Sequence, residues 1–335
     1  MITTLIGAMD VVQADDLVRN QRSLITPEDV AVVVNDQDKN SVEIGNYYLN
    51  ARNIPRKNLI IVSIKPNEGT IYSEEFSELR EKIYASLGSN IQAIALLWTA
   101  PYAVSCNSIT SAMTLGFEPE QCKNGCGVGK KNPYFNSTSL KPFQDHHIRL
   151  SMLLPTDDVT LAKSIIDKGV LSSFRLNDAT GYFLKTQDSA RSKPREPFFP
   201  RDLTKVESKK LFIRTIKADS IRDKKDVMFY FTGMEQVPFL DTLNFMPGAI
   251  ADHLTSAGGI LYKPSQMTGL SWLAAGVTGT YGTVTEPCNY WQKFPNPRIV
   301  LQHYLAGETL IESYWKSVYW PTQGLFMGEP LAAPY

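Results

Sequence analysis

Apolar positions recur along the chain in two rhythms. Short aliphatic runs, "VAVVV" at 30–34, "NLIIVSI" at 58–64 and "IQAIALLW" at 91–98, alternate with longer stretches in which apolar residues return every three or four positions. A continuous apolar run of this length reads as a strand buried on both faces, and the longer periodic stretch as an amphipathic helix. The first helix is predicted over 41–52, with Ser41 as N-cap and Pro55 beyond its end. The second is predicted over 73–88, with Ser73 as N-cap, acids in its first turn, Phe76, Leu79, Ile83 and Leu87 on one face, and Gly88 as its stop. Strand, helix, strand, helix, strand with continuous apolar strands predicts a parallel sheet covered on both faces.

Residues 99–147 break the rhythm. They hold three cysteines with several prolines and glycines, and one short helix is expected in "CNSITSAMTLGF". Regular patterning then resumes. "RLSMLLP" reads as a strand, 157–173 as a helix with acids at its start, and 181–185 as a strand. The polar, Pro-rich stretch 188–202 is expected to be an insertion or a mobile flap. Strands follow at 210–218 and 226–233. "PGAIADHLTSAGG" (247–259) opens on Pro and closes on Gly-Gly, which predicts a helix. "GILY" and "GVTGTYGTV" read as strands, and 297–318 as one or two helices broken near Gly307. There is no internal repeat and no low-complexity tract. The expected architecture is a three-layer α/β sandwich with a mainly parallel sheet. It forms one domain over 27–335, with insertions near 99–147 and 186–208.

Charge narrows the partners. Of 335 residues, 34 are Lys or Arg and 34 are Asp or Glu, so the formal net charge is zero. A nucleic-acid or anionic-membrane protein would carry a basic excess, so neither partner is expected. "GKK" at 129–131 and "RDKK" at 222–225 read as solvated turns. No apolar run approaches the ~18 residues of a membrane span. The N-terminus lacks a basic start, and Asp10 interrupts its apolar stretch. Residues 1–26 therefore read as a degenerate leader or an N-terminal extension.

The candidate chemistry centres on four cysteines. Cys106, Cys122 and Cys126 lie close together. "CKNGC" could close on itself, or Cys106 could pair with Cys122 or Cys126. A metal module would use His146 and His147 with this cluster, although C-x3-C is not the usual zinc spacing and adjacent histidines diverge. A nucleophile reading would use Cys288 with Glu286 and either His303 or His146, since a thiol needs a base within hydrogen-bond reach. G-x-S-x-G, Walker A, G-x-G-x-x-G and H-E-x-x-H patterns are absent. His253 is expected at a helix surface. Glu286, in "TEPCN", follows the carboxyl end of a strand, where parallel α/β sheets gather ligands. It is the preferred ligand contact, with Tyr281, Asn107, Ser108, Thr232 and Glu235 as further candidates. Glu329 sits in the similar phrase "GEPLAAPY". No cofactor is expected.

Long motifs carry a family resemblance. "VAVVVNDQDKNSVEIGNYYLNARNIPRKNLI", "LLWTAPYAVSCNSITSAMTLGF", "NPYFNS", "PGAIADHLTSAGG", "AGVTGTYGTVTEPCNYWQKFPNP", "LAGETLIESYWKSV" and "GEPLAAPY" resemble a bacterial family of mostly exported proteins of unknown function. The resemblance spans about 27–335. It implies a periplasmic or secreted location, with a leader ahead of the "PEDVAVVVN"-like block. More remotely, "MFYFTGMEQ", "GAIADHLTS", "AGVTGTYGT" and "GEP" resemble, in order, the catalytic strand, following helix, next strand and late Gly-Asp-Pro phrase of caspase-like, gingipain-type cysteine peptidases. That likeness implies a caspase-like fold and places the catalytic cysteine near Thr232-Gly233, where this chain has none. "LFIRTIKA" likewise ends without His-Gly. The expectation is thus a non-catalytic protein that binds a ligand or partner at the C-terminal edge of its sheet. The alternatives are a cysteine-type hydrolase and the metal module.

Overall fold

The computed structural model describes residues 25–65 and 67–335, so the expectation of a leader falls almost wholly outside the described residues. The first half of the chain alternates as its pattern predicts. It runs β1 (Val30–Asn35), α1 (Lys39–Arg52), β2 (Leu59–Val62), β3 (Thr70–Ile71), α2 (Ser73–Ala85) and β4 (Ala93–Leu97). The irregular segment contributes β5 (Ala103–Val104), β6 (Asn107–Ser108), α3 (Ile109–Leu115), α4 (Glu120–Lys123) and α5 (Pro142–His146) before β7 (Leu150–Leu153). Helix α6 (Val159–Ser172) leads into the second half. There follow β8 (Ala179–Lys185), α7 (Ser189–Ser192), β9 (Thr204–Val206), β10 (Leu211–Lys217), β11 (Val227–Thr232) and β12 (Phe245–His253). The chain ends with α8 (Gly269–Ala274), β13 (Gly279–Thr283), α9 (Pro297–Leu305), α10 (Leu310–Ser317) and β14 (Gly324–Gly328).

Among the described residues, eleven strands form one sheet in the order β2-β1-β4-β7-β14-β13-β12-β11-β8-β10-β9. Strands β2, β1, β4, β7 and β14 are parallel to one another, as are β13, β12, β11, β8 and β10. The two sets meet antiparallel at β13/β14, and β9 adds an antiparallel edge. Side chains of a strand alternate between faces. Accordingly Val30, Val32 and Val34 pack with Tyr48 and Leu49 of α1 on one face, while Ala31 and Val33 pack with Phe76 and Ile83 of α2 on the other. The result is the expected three-layer α/β sandwich with a mainly parallel sheet.

Local corrections have clear causes. Helix α1 is capped by Asp38, whose side chain accepts from Asn40 N, and not by Ser41. Ser41 is fully buried; its hydroxyl donates to Leu97 O and accepts from Asn35 N, tying α1 to β4 and β1. At α2 the N-cap position is Tyr72, one residue before Ser73. The largest change is 247–259, which forms the central strand β12 and its exit, not a helix. Residues Gly248–His253 are all buried. Pairing of this segment with β11 on one side and β13 on the other overrides the Pro and Gly-Gly signals. Gly258 and Gly259 serve close approach instead: a Cβ on Gly259 would lie 2.6 Å from Gly282 O. "GILY" is an irregular turn. Helix α8 and strand β14 were not expected.

Strand β14 is anchored by the residue after it. The Glu329 carboxylate is fully buried. It accepts from Tyr48 Oη at 2.7 Å, Arg52 Nε at 3.0 Å, Arg52 Nη2 at 2.5 Å and Leu331 N at 3.1 Å. Gly169 in α6 leaves the room: a Cβ there would fall 2.1 Å from Glu329 Oε2. Removing one partner of a buried ion pair leaves an uncompensated charge and costs about 3–5 kcal/mol. Arg52→Met is therefore expected to lower unfolding free energy by that amount in urea titration, and the double change with Glu329→Leu to recover part of the loss.

Candidate functional site

Three segments converge outside the carboxyl ends of β12 and β13. They are Leu254–Ser256 after β12, Val284–Asn289 after β13, and the start of α7. Between them lies a cleft of about 280 Å³. Arg191, Thr255, Ser256, Glu286 and Asn289 line it with polar groups, over a floor that includes Leu254 and Phe294.

The Glu286 loop is braced from several sides. Glu286 Oε1 accepts from Cys288 N at 2.7 Å, and its backbone O accepts from Gln323 Nε2 at 2.8 Å. Cys288 has φ +55° and is joined to Cys126 by a disulfide with Cα atoms 5.2 Å apart. The facing turn comes this close because residue 125 is Gly: a Cβ would sit 2.7 Å from Glu286 O. Lys293 lies buried behind the loop and donates to Gly125 O at 2.5 Å and Gln323 Oε1 at 2.9 Å. Burial pushes its ammonium down to about 8, with Glu286 pulling the other way. Across the cleft, Arg191 pairs with Asp188 at 2.7 Å and approaches Glu235 at 3.7 Å. Asn289 Nδ2 donates to Ala190 O at 3.2 Å, linking the two walls.

Beneath the cleft, Arg195 and Asp252 form an ion pair in which each side chain is 1% exposed. Arg195 Nη2 also donates to Thr232 O at 2.6 Å. Burial pushes the Asp252 carboxyl up, against the pull of Arg195. Thr186 Oγ1 donates to Gly233 O at 2.7 Å, and Ser192 Oγ accepts from Thr186 N at 2.9 Å. The 188–202 segment is therefore fastened into the fold at Ser192 and Arg195, and is not a flap there.

His253 is not on a helix surface. It is 1% exposed at the end of β12. Trp272 Nε1 can only donate, and it reaches His253 Nδ1 at 2.8 Å. The ring proton therefore sits on Nε2, which donates to Met267 O at 3.0 Å. Burial, chiefly, pushes this imidazole down to about 4. It is held neutral and has no spare nitrogen for catalysis.

The other sequence candidates separate. Cys288 belongs to a disulfide, as do Cys106 and Cys122, and no cysteine is free. The expected pairing of the three clustered cysteines holds for Cys106–Cys122, whereas Cys126 takes the remote Cys288. The thiol that a Cys288 nucleophile needs is therefore absent. His303 is occupied on both nitrogens, by Glu308 Oε1 at 2.7 Å and Asn136 Oδ1 at 3.2 Å. His146 meets Ser137 Oγ at 3.0 Å, while His147 ends α5 in a left-handed conformation. With the cysteines bonded to one another, the proposed ligand set does not assemble, and no metal-ligating cluster occurs among the described residues. Tyr281 is core, its hydroxyl donating to Lys293 O at 2.6 Å. Asn107 bonds Glu118, and Ser108 caps α3. Thr232 is buried at the end of β11. Glu235 meets the site only through Arg191. Of the ligand candidates, Glu286 alone lines the cleft.

Sequence reasoning missed Arg191, Thr255, Ser256, Asn289 and the Arg195–Asp252 pair. One signal was present: Asp252 interrupts the apolar "AIADHL", and a carboxylate inside a buried strand requires a cationic partner. The gingipain-type matching also changes. The piece that resembles that family's helix in sequence is strand β12, whose carboxyl end lies beside that of β11. Neither end holds a cysteine.

No family model matches the chain, and no curated protein matches it. Two solved structures are similar in fold. One is described as a structure of protease, with 12% identity and TM-score 0.46, covering 93% of this chain and 79% of that chain. The other is the complex of Porphyromonas gingivalis RgpB pro- and mature domains, with 8% identity and TM-score 0.47, covering 91% of this chain and 79% of that chain. At these identities the likeness is one of fold.

Two outcomes follow from the site. Thiol titration of the unreduced protein, native or in denaturant, is expected to find no reactive thiol, and Cys126→Ser to release one at Cys288. His253 predicts an acid limb. Its folded value lies below the ordinary 6.5, so the unfolded chain takes up the proton first. The stability present above pH 6.5 is then lost as pH falls toward 4, with a slope of up to about 1.4 kcal/mol per pH unit. His253→Gln, which can still meet Trp272, should flatten that limb in denaturant titrations run from pH 7 to pH 4.

Proposed function

We propose that this chain is a non-catalytic, exported binding protein that takes a ligand or a segment of a partner in the cleft between Arg191 and Glu286. The observation that carries the reading is the state of Cys288. It stands in the cleft wall and is the cysteine that a nucleophile reading of the sequence would use, but its sulfur is bonded to Cys126. Thr255 and Ser256 line the cleft, but the Thr255 hydroxyl donates to Gln266 Oε1 at 2.7 Å, and His253 beside them is committed to Trp272 and Met267. Opposite charges on facing walls suit a ligand that carries complementary polar or charged groups. Two disulfides support an oxidising compartment, as does the resemblance of 27–335 to an exported bacterial family. No helix among the described residues is long and apolar enough to cross a membrane.

Incubating the protein with a peptide library tests this reading. Retention of a peptide subset without cleavage is expected, with binding weakened about tenfold by Glu286→Ala or Arg191→Ala, a loss of about 1.4 kcal/mol. Cleavage of the library that disappears in Cys288→Ala would overturn it.

A further inference from the structure

The two halves of the sheet aim their carboxyl ends at opposite edges, because β14 runs parallel to β7 and antiparallel to β13. The molecule therefore has a second edge at which ligands can gather, outside β1, β4 and β7. From β1 the chain moves outward to β2 and then returns to β4 on the other side, so the topological switch point lies between β1 and β4. Open α/β sheets bind ligands in the crevice at such a point. In the second half the matching crevice, between β8 and β11, is occupied by α7, whose backbone presses on Gly233, and by Arg195, which donates to Thr232 O. In the first half it is open, as a cleft of about 510 Å³.

We propose that this cleft binds a neutral polyhydroxylated ligand, a sugar of one or two rings. Its size lies within the roughly 300–1,000 Å³ of small-molecule sites. Its charges balance: Lys39 and Lys65 line it together with Asp38 and Asp157. The N-terminus of α1, which would otherwise attract an anion, is closed by Asp38. That carboxylate accepts from Asn40 N at 2.9 Å and Thr156 Oγ1 at 3.2 Å. The groups left open are of both kinds. Asp157 accepts from Tyr262 Oη at 2.9 Å through Oδ2 and keeps Oδ1. Gln37 donates to Asp36 at 2.9 Å through Nε2 and keeps Oε1. The two lysines supply donors. A sugar hydroxyl both donates and accepts, and uses such a mixed array where a simple ion would not.

One wall is aromatic and comes from the other half of the chain. Tyr262, beyond β12, reaches over to Asp157 and stands edge-on against Tyr102, with ring centroids 5.9 Å apart. An aromatic side chain with an anchored hydroxyl offers an apolar surface to the C–H face of a sugar. The floor is rigid. Asn35 Oδ1 accepts from Ile64 N at 2.8 Å and Gln37 N at 3.1 Å, and its Nδ2 donates to Ile64 O at 3.0 Å. Thr99 Oγ1 accepts from Thr156 N at 2.9 Å and Asp157 N at 3.0 Å. Such preorganisation lowers the entropy lost on binding.

Protein-observed NMR titration with glucose, galactose, mannose, N-acetylglucosamine and their disaccharides tests the assignment. At least one sugar is expected to give saturable shifts in residues 35–39, 99–102 and 262. Tyr262→Ala and Asp157→Asn should each weaken it about tenfold or more. Should Tyr262→Ala fold poorly by circular dichroism, Gln37→Ala on the exposed rim takes its place. The proposal fails if none of these sugars binds, if binding ignores the variants, or if only spermidine or inorganic phosphate occupies the cleft.

Discussion

The last strand of the chain occupies the middle of the sheet, and the rest of the architecture depends on that insertion. Among the described residues β14 alone joins β7 to β13, parallel on one side and antiparallel on the other. Its close fit needs small residues. Gly328 has φ +132°, and a Cβ there would fall 2.2 Å from Thr278 O. The Glu329 carboxylate then locks the strand to Tyr48 and Arg52, residues almost the whole chain away. Until residues 324–329 arrive, the cores of both halves lack a shared wall. Contacts of such long sequence separation carry a large loop-closure cost before they are rewarded.

The same seam decides where chemistry can sit. A fully parallel sheet would collect all its strand ends on one edge. Here the reversal at β13/β14 gives each half its own edge, and the two halves treat their switch points differently. The second half fills its crevice with Arg195, whose partner Asp252 rises from β12. Taking two charges out of water is costly, and the pair persists only with good geometry and further hydrogen bonds. The bond from Arg195 to Thr232 O supplies one of these, and the pair ties the loop before β9 to the sheet. The first half spends no such charge on its crevice and leaves it open.

Much of this was readable from apolar rhythm. Strands β1, β4, β7, β8 and β11 follow runs whose two faces are buried almost throughout, β2, β10 and β13 follow shorter or mixed runs, and helices α1, α2, α6, α9 and α10 follow the longer period. The misreadings share one cause. Local end signals mislead where tertiary packing uses the same residues otherwise. Pro247 and Gly258-Gly259 look like the two ends of a helix, yet the glycines are there so that backbone can press on Gly282. Ser41 and Ser73 look like caps, yet Ser41 is spent on two strands. β14 escaped notice because "GLFMG" is only five residues long, and its pairing partners lie far away in sequence. Glu286 was found because it follows a strand end. Arg191 and Asn289 were not, because nothing local distinguishes a solvated arginine from one folded over a cleft.

The disulfide between Cys126 and Cys288 bears most directly on the Glu286 cleft. It connects residues 162 positions apart. A loop ending on a strand would ordinarily keep its own freedom, and binding would have to order it at a cost of about 0.5–1.5 kcal/mol for each immobilised side chain. Here the Glu286 loop is held by the disulfide, by the Cys288 N–H on its carboxylate, by Gln323 on its carbonyl and by Lys293 behind it. One oxygen of Glu286 is used for this bracing, in a residue that lines the cleft. The cysteine that looked like a nucleophile in the sequence therefore acts by position: it fixes the carboxylate beside it, and the cleft wall is formed before any ligand arrives.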